Sequence, residues 1–198
     1  IGYHQVFHTY GNEIGAWYGD EVNYIAEMTV AQNTAYDDHK FQSHTKHFIA
    51  RGGRHAYVAA KSPADLLDSW LVGWKAAVDA GTRWVMTNNN VGVTPGIHTY
   101  FDKTTFDLLR VDLGYDGVVV LDWPLDASRI LSATGVTGEG IDIAPLDLAE
   151  RYALILNAGI DMFSCFFAVP GKDLSYLEGI GFQRYFPEYV AEAVERGL

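Results

Sequence analysis

Four clusters of chemically capable side chains stand at or near the ends of segments that read as strands: Lys46-His47, Asn88-Asn89-Asn90, Asp122-Trp123 and Ser164-Cys165. Lys and His donate hydrogen bonds to hydroxyls, and Asn both donates and accepts them. An indole offers a flat stacking face, and a carboxylate can attack an electrophilic carbon or abstract a proton. Together these groups suit a polar, hydroxyl-rich ligand. Singly, each has an ordinary explanation. Lys46 serves as a solvated rim residue, His47 as a satisfied core histidine, Asn88 to Asn90 as turn formers, Trp123 as packing, and Asp122 as the cap of a following helix. Their recurrence at successive strand ends is what favours a site. Cys165, the single cysteine, has apolar neighbours and reads as a core thiol.

The elements that must position these clusters are legible from periodicity. The clearest is Gly114-Tyr115-Asp116-Gly117-Val118-Val119-Val120-Leu121-Asp122-Trp123. Its four consecutive apolar residues read as a strand buried on both faces, as in parallel sheets. Asp122 stands at its C-terminal end, where barrel and doubly wound enzymes place their chemistry. Further strands are expected at 41–50, 82–87 and 160–166, with a short one near 5–9. Between them, Val22, Ile25, Ala26, Met28, Thr29 and Ala31 recur at helical spacing after Asp20-Glu21. A second helix opens at Ser62-Pro63, runs through Leu66, Trp70, Leu71, Trp74 and Ala77, and stops at Gly81. Others are expected at 101–113, closed by Gly114 as a left-handed C-cap, from Ala144-Pro145 to Gly159, and at 185–196.

Alternating strands and helices imply an α/β fold with a parallel sheet. Two architectures fit: a TIM-type (β/α) barrel and an open doubly wound sheet. No strand is followed by G-x-G-x-x-G or G-x-x-x-x-G-K-[ST], which weakens the open-sheet reading. A full barrel needs eight strands and about 250 residues. The 198 residues are therefore expected to form a single, incomplete barrel of about four or five βα units.

Composition excludes several classes of partner. A hydrophobic content of 48% marks a folded chain. A net charge of -11 with 14 Lys+Arg argues against nucleic acid and against an anionic membrane surface. No apolar run approaches the length of a membrane span. A lone cysteine precludes an internal disulfide framework and leaves the compartment open. The sequence opens at Ile1 without an initiator Met, and so reads as a processed product or an internal fragment.

The segment from Leu113 to Trp123 resembles the nucleophile segment of glycoside hydrolase family three, the β-glucosidase family. Other pieces resemble that family in the same order. They are Lys46-His47-Phe48, Ala80-Gly81 through Val85-Met86, Phe106-Asp107-Leu108-Leu109-Arg110, Asn157-Ala158-Gly159-Ile160-Asp161-Met162, and the helix over 190–197. The resemblance covers most of the chain from about Gly19. It implies a retaining, exo-acting β-glycosidase that hydrolyses terminal β-linked sugars through a glycosyl-enzyme ester on Asp122. Lys46 and His47 would hydrogen-bond sugar hydroxyls, and Trp123 would stack on the sugar at the entrance. Met86 and Asn89 would border the same subsite. No cofactor is implied and no metal. The implied partners are an oligosaccharide or β-glucoside substrate, together with either the rest of the barrel and an acid/base-bearing sandwich domain or a second copy of the chain. A secreted or periplasmic compartment is favoured over the cytoplasm.

This sequence departs from the family pattern in places. Leu121 stands where Ser or Thr is usual and Asn89 where Tyr is usual, and no Arg occurs in residues 1–50. In one branch an Asp-His pair after Lys-His-Phe supplies the acid/base. His55 is the histidine in that loop here, without the Asp-Ser-His signature, and reads more simply as a solvated residue. An inactive sugar-binding remnant of such a barrel is the alternative. A metal hydrolase using His44, His47 and Asp122 is disfavoured, because strand residues three apart point to opposite faces unless the strand has ended.

Overall fold

The computed structural model describes residues 2–5, 21–49, 71–88, 92–122, 135–137, 139–162 and 186–198. Four strands form one sheet: β1 (Gly2–Gln5), β2 (Ser43–Phe48), β3 (Trp84–Thr87) and β4 (Val118–Val120). Each pairs in parallel with the next, in the order β1-β2-β3-β4. The chain continues in the same direction beyond β4, where Met162 forms a parallel bridge to Val120. Stepwise order without reversal is the winding of a barrel wall; a doubly wound sheet reverses at a switch point. The described part of the expected strand at 160–166 ends at that bridge. The expected strand near 5–9 lies earlier, at Gly2–Gln5, and residues 6–9 lie outside the described residues.

Register shows which side chains share a face. Thr45, Val85 and Val119 are aligned across β2, β3 and β4, and all are fully buried. Val85 and Val119 belong to the same apolar cluster as Trp74, Ala77, Phe106 and Leu109, so this row faces the helices. Lys46, Met86 and Val120 form the next row, and alternation sends them to the opposite, inner face.

Among the described residues four helices pack outside, and a fifth lies near the end of the chain. In α1 (Val22–Asp38), Glu21 caps the first turn by accepting from the amides of Asn23 and Tyr24, and Ile25, Thr29 and Asn33 are buried. The expected stripe included Ala31, which is exposed, while polar Asn33 turns inward. Spacing of four selects the face, and neighbouring elements decide its width. Helix α2 (Leu71–Asp79) buries Trp74, whose ring meets Phe48 edge-on at 4.9 Å and 82°. Such a pair contributes about 0.5–1.5 kcal/mol beyond area burial. The expected start of this helix at Ser62-Pro63 lies outside the described residues.

The helix expected over 101–113 is a composite. A 3₁₀ turn, Thr99–Phe101, leads into α3 (Lys103–Asp107), which widens into a π-helical segment, Leu108–Asp112. The Leu113 amide donates five residues back to the Leu108 carbonyl at 3.0 Å. Gly114 then adopts φ +74°, the left-handed cap anticipated from sequence. Helix α4 (Leu148–Ala158) begins with a capping box: Asp147 accepts from the Glu150 amide at 3.0 Å, and Glu150 accepts from the Asp147 amide at 2.9 Å. In α5 (Phe186–Glu195), Ala193 packs on Ala149 and Ala153 of α4. Arg196 just beyond reaches Asp147, Glu150 and Glu192.

At the end of β4 remote from Asp122, two of the sequence motifs meet. Arg110 donates to Asp161 and to the carbonyls of Tyr115 and Gly117, and its guanidinium lies 5.3 Å from the Tyr115 ring centroid. Asp161 also accepts from the Val119 amide at 2.7 Å. The pair therefore clips β4 to the strand that follows. It is partly exposed, so its Coulombic share is small. The bond to Val119 should matter more. Asp161→Ala is expected to lower unfolding free energy by about 1–3 kcal/mol, whereas Arg110→Lys should cost less than about 1 kcal/mol. Urea denaturation of both variants checks this; equal losses would refute the assignment.

His44 lies on β2 beside Trp84, with ring centroids 6.1 Å apart. Burial, reinforced by the charge of Lys46, holds its pKa down at about 4 against an ordinary 6.5. The unfolded chain therefore binds a proton that the folded chain rejects between those values. Stability falls as pH drops from about 6.5 to about 4, by an amount on the order of 3 kcal/mol. His44→Gln should flatten that part of the profile. Urea melts at pH 7 and pH 4.5 on both proteins give the comparison.

Candidate active site

The C-terminal ends of β2, β3 and β4 form the rim on which the site is built. On β2 the pairing with β3 slips by one residue: Lys46 is opposite Met86, but Phe48 is opposite Thr87, leaving His47 as the extra residue. Bulges of this kind re-aim side chains. Phe48 thereby stays on the helix face with Thr87, packed on Trp74, while Lys46 and His47 both turn inward. The peptide bonds before His47 and before Ile49 are cis.

Asp122 follows β4 directly. Its carboxylate is buried, and Oδ1 lies 3.7 Å from Nε2 of His47, also buried. That separation is too long for a hydrogen bond. Both groups are near enough to contact one bound hydroxyl. Lys46 is half-buried in the row below. Met86 is its register partner, and Val120 is the partner of Met86. The structure thus brings Lys46, His47, Met86 and Asp122 to one rim. Asn89, Trp123, His55, Ser164 and Cys165 lie outside the described residues.

The main chain of Asp122 is held at both ends. Its amide donates to Thr87 Oγ1 at 3.2 Å, and its carbonyl accepts from the Tyr100 hydroxyl at 3.2 Å. Tyr100 belongs to a segment, residues 92–102, that crosses the ends of three strands. Thr99 Oγ1 donates to Asn88 Oδ1 at 2.7 Å, and Asn88 donates from its amide group to the Ile49 carbonyl. Asn88, one of the polar groups at the strand ends, is a buried bridge between β2, β3 and this segment. Thr87, Thr99 and Tyr100 carried no sequence signal, because single hydrogen bonds to distant strand-end groups leave no period and no motif.

Alternation alone does not separate His44 from His47, since the bulge changes the parity of the strand after Lys46. Distance does. Among the described residues no group of three His, Cys, Asp or Glu side chains stands close enough to hold a metal ion. The arrangement is instead a buried carboxylate beside an imidazole, with the primary amine of Lys46 one residue earlier on β2, groups that can hydrogen-bond a neutral polyol.

Residues 12–171 match the model of the glycosyl hydrolase family 3 N-terminal domain. Beta-glucosidase C of Emericella nidulans is 30% identical over 131 residues, which are 60% of this chain and 21% of that protein. A probable beta-glucosidase C of Aspergillus oryzae is 28% identical over the same length, covering 20% of it. Among solved structures, the β-glucosidase of Listeria innocua in complex with glucose superimposes with a TM-score of 0.60 at 22% identity, covering 91% of this chain and 25% of that one. The likeness extends the stepwise parallel sheet to an α/β, TIM-barrel-like fold. The chain spans about a fifth of the length of the curated relatives and about a quarter of the solved enzyme. By sequence and by fold, the chain belongs to glycosyl hydrolase family 3, within its N-terminal domain.

Proposed function

We propose that the chain carries the nucleophile half of a retaining, exo-acting β-glycosidase of the β-glucosidase type, acting on an oligosaccharide or β-glucoside. The observation that carries this reading is the buried carboxylate of Asp122 at the end of β4, 3.7 Å from His47. The family match over residues 12–171 and the β-glucosidases among its relatives support the reaction class.

In this reading an Asp122 oxygen attacks the anomeric carbon as the bond to the leaving oxygen breaks, and a glycosyl ester forms. A second carboxyl protonates the leaving group. It then takes a proton from the water that cleaves the ester and returns Asp122 as carboxylate. Lys46 and His47 donate to sugar hydroxyls, and these bonds hold the anomeric carbon in line with the carboxylate. Met86 borders the subsite; Asn89 and Trp123 complete it. The acid/base group comes from a further domain, and the rest of the barrel comes from additional sequence or from a second copy of the chain. Such an enzyme works on sugars outside the cytoplasm.

The test is a nucleophile trap. A 2-fluoro-β-glucoside with a dinitrophenolate leaving group needs no general acid, so it reports on Asp122 even where the second carboxyl is missing. The expected result is one glycosyl adduct per chain on the peptide holding Asp122, and none with Asp122→Asn. A folded wild-type sample that forms no adduct would favour a sugar-binding remnant instead.

Lys46→Ala should form the same adduct with a second-order rate constant lower by about 10–100-fold, the loss expected for one charge-assisted bond to a sugar hydroxyl. Labelling kinetics followed by intact mass give this number. An unchanged rate would remove Lys46 from the subsite.

A further inference from the structure

We propose that Tyr100 is a positioning residue for Asp122, fixing the main chain from which the nucleophilic carboxylate projects. The inference rests on the reading of Asp122 given above, and deepens it.

The carboxylate has one rotatable bond from its backbone to Cβ and another to the carboxyl carbon, so its placement depends on how firmly the backbone is held. Two bonds hold it. Thr87 Oγ1 takes the Asp122 amide, and the Tyr100 hydroxyl gives its proton to the Asp122 carbonyl. Tyr100 and Asp122 are both buried, so water competes poorly for either bond. Leu121, the preceding residue, is fully buried in the main apolar cluster. The Asp122 main chain is therefore anchored by packing at Leu121 and by a hydrogen bond on each side of its Cα.

Tyr100 can act as an anchor because it is itself immobilised. The His98 ring meets it edge-on at 4.4 Å, and His98 Nδ1 accepts from the Tyr100 amide at 3.3 Å. Thr99 next to it is bonded to Asn88. The other end of the segment is tied by Asp102, which is wholly buried. It accepts from the Thr94 amide at 2.9 Å, the Thr94 hydroxyl at 2.8 Å and the Thr105 hydroxyl at 2.7 Å. Gly92 passes so close to Asp102 and Thr105 that a Cβ would collide with both. A rigid strap thus carries a phenol to the one carbonyl that lies behind the nucleophile. A displacement of about 1 Å at a reacting group costs on the order of 100-fold in rate, and this is what the strap prevents.

The fluoro-glucoside trap separates positioning from fold stability. The maximal labelling rate, kinact, reports how the carboxylate is aimed, and KI reports sugar binding. Tyr100→Phe is expected to lower kinact about tenfold and leave KI unchanged. Thr87→Val, which removes the bond on the other side of the Asp122 Cα, should show the same split, and it stands in should Tyr100→Phe fail to fold. Tyr115→Phe is the control. Its hydroxyl lies 3.0 Å from the Arg83 carbonyl and 2.9 Å from that of Val118, at the opposite end of β4. It should lower the melting temperature yet keep wild-type kinact. Wild-type kinact in Tyr100→Phe, or equal losses in Tyr100→Phe and Tyr115→Phe, overturns the positioning role. A wild-type protein that never labels at Asp122 overturns the nucleophile assignment, and this proposal with it.

Discussion

Side chains in a parallel sheet alternate between two faces, and here the outer face is committed to the helices. Val85 and Val119 are fully buried under α2 and α3, and Phe48 is pinned edge-on to Trp74. With strict alternation, Lys46 and Phe48 would share a face, and His47 would point at the helices. The one-residue slip between Lys46 and Phe48 resolves this conflict. Phe48 keeps its place in the core, and two consecutive polar side chains are released to the inner rim. Everything functional at the end of β2 follows from that slip, including the approach of His47 to the Asp122 carboxylate.

The sheet treats its two ends differently. Beneath the rim, Arg110, Asp161 and Tyr115 close the turns into β4 with bonds to backbone carbonyls and one amide. These groups stabilise the crossing from helix to strand and offer nothing toward the rim. At the opposite end the bonding runs between loop and strand terminus, through Thr87, Asn88, Thr99 and Tyr100. One end secures the scaffold, and the other holds the buried Asp122 carboxylate. This division between a stabilising end and a chemical end is the usual arrangement in barrels.

The family relationship fits the physical picture while leaving room around it. A parallel wall that continues past β4 buries its inner face only when more wall or another chain stands opposite. The match covers only about a fifth of the curated relatives and a quarter of the solved enzyme, in keeping with that requirement.

Read alone, the sequence determined the parallel α/β class, the strand at 118–120, a helix opening at residues 144–147 and the placement of Lys46, His47, Met86 and Asp122 at strand ends. Each of these rests on a local signal: an apolar run, a capping residue, a left-handed glycine, a polar residue following a strand. Tertiary structure alone decided the bulge at His47, the inward turn of Asn33, the 3₁₀ and π segments on either side of α3, and the Tyr100 strap. In every such case the deciding force is a contact between residues distant in the chain. Thr87 lies 35 positions from Asp122, and Asn88 lies 39 from Ile49. Periodicity reports which face of an element is apolar; it carries no information about which distant carbonyl a hydroxyl will meet. The carboxylate could therefore be found from the sequence, but the groups that hold it in place could not.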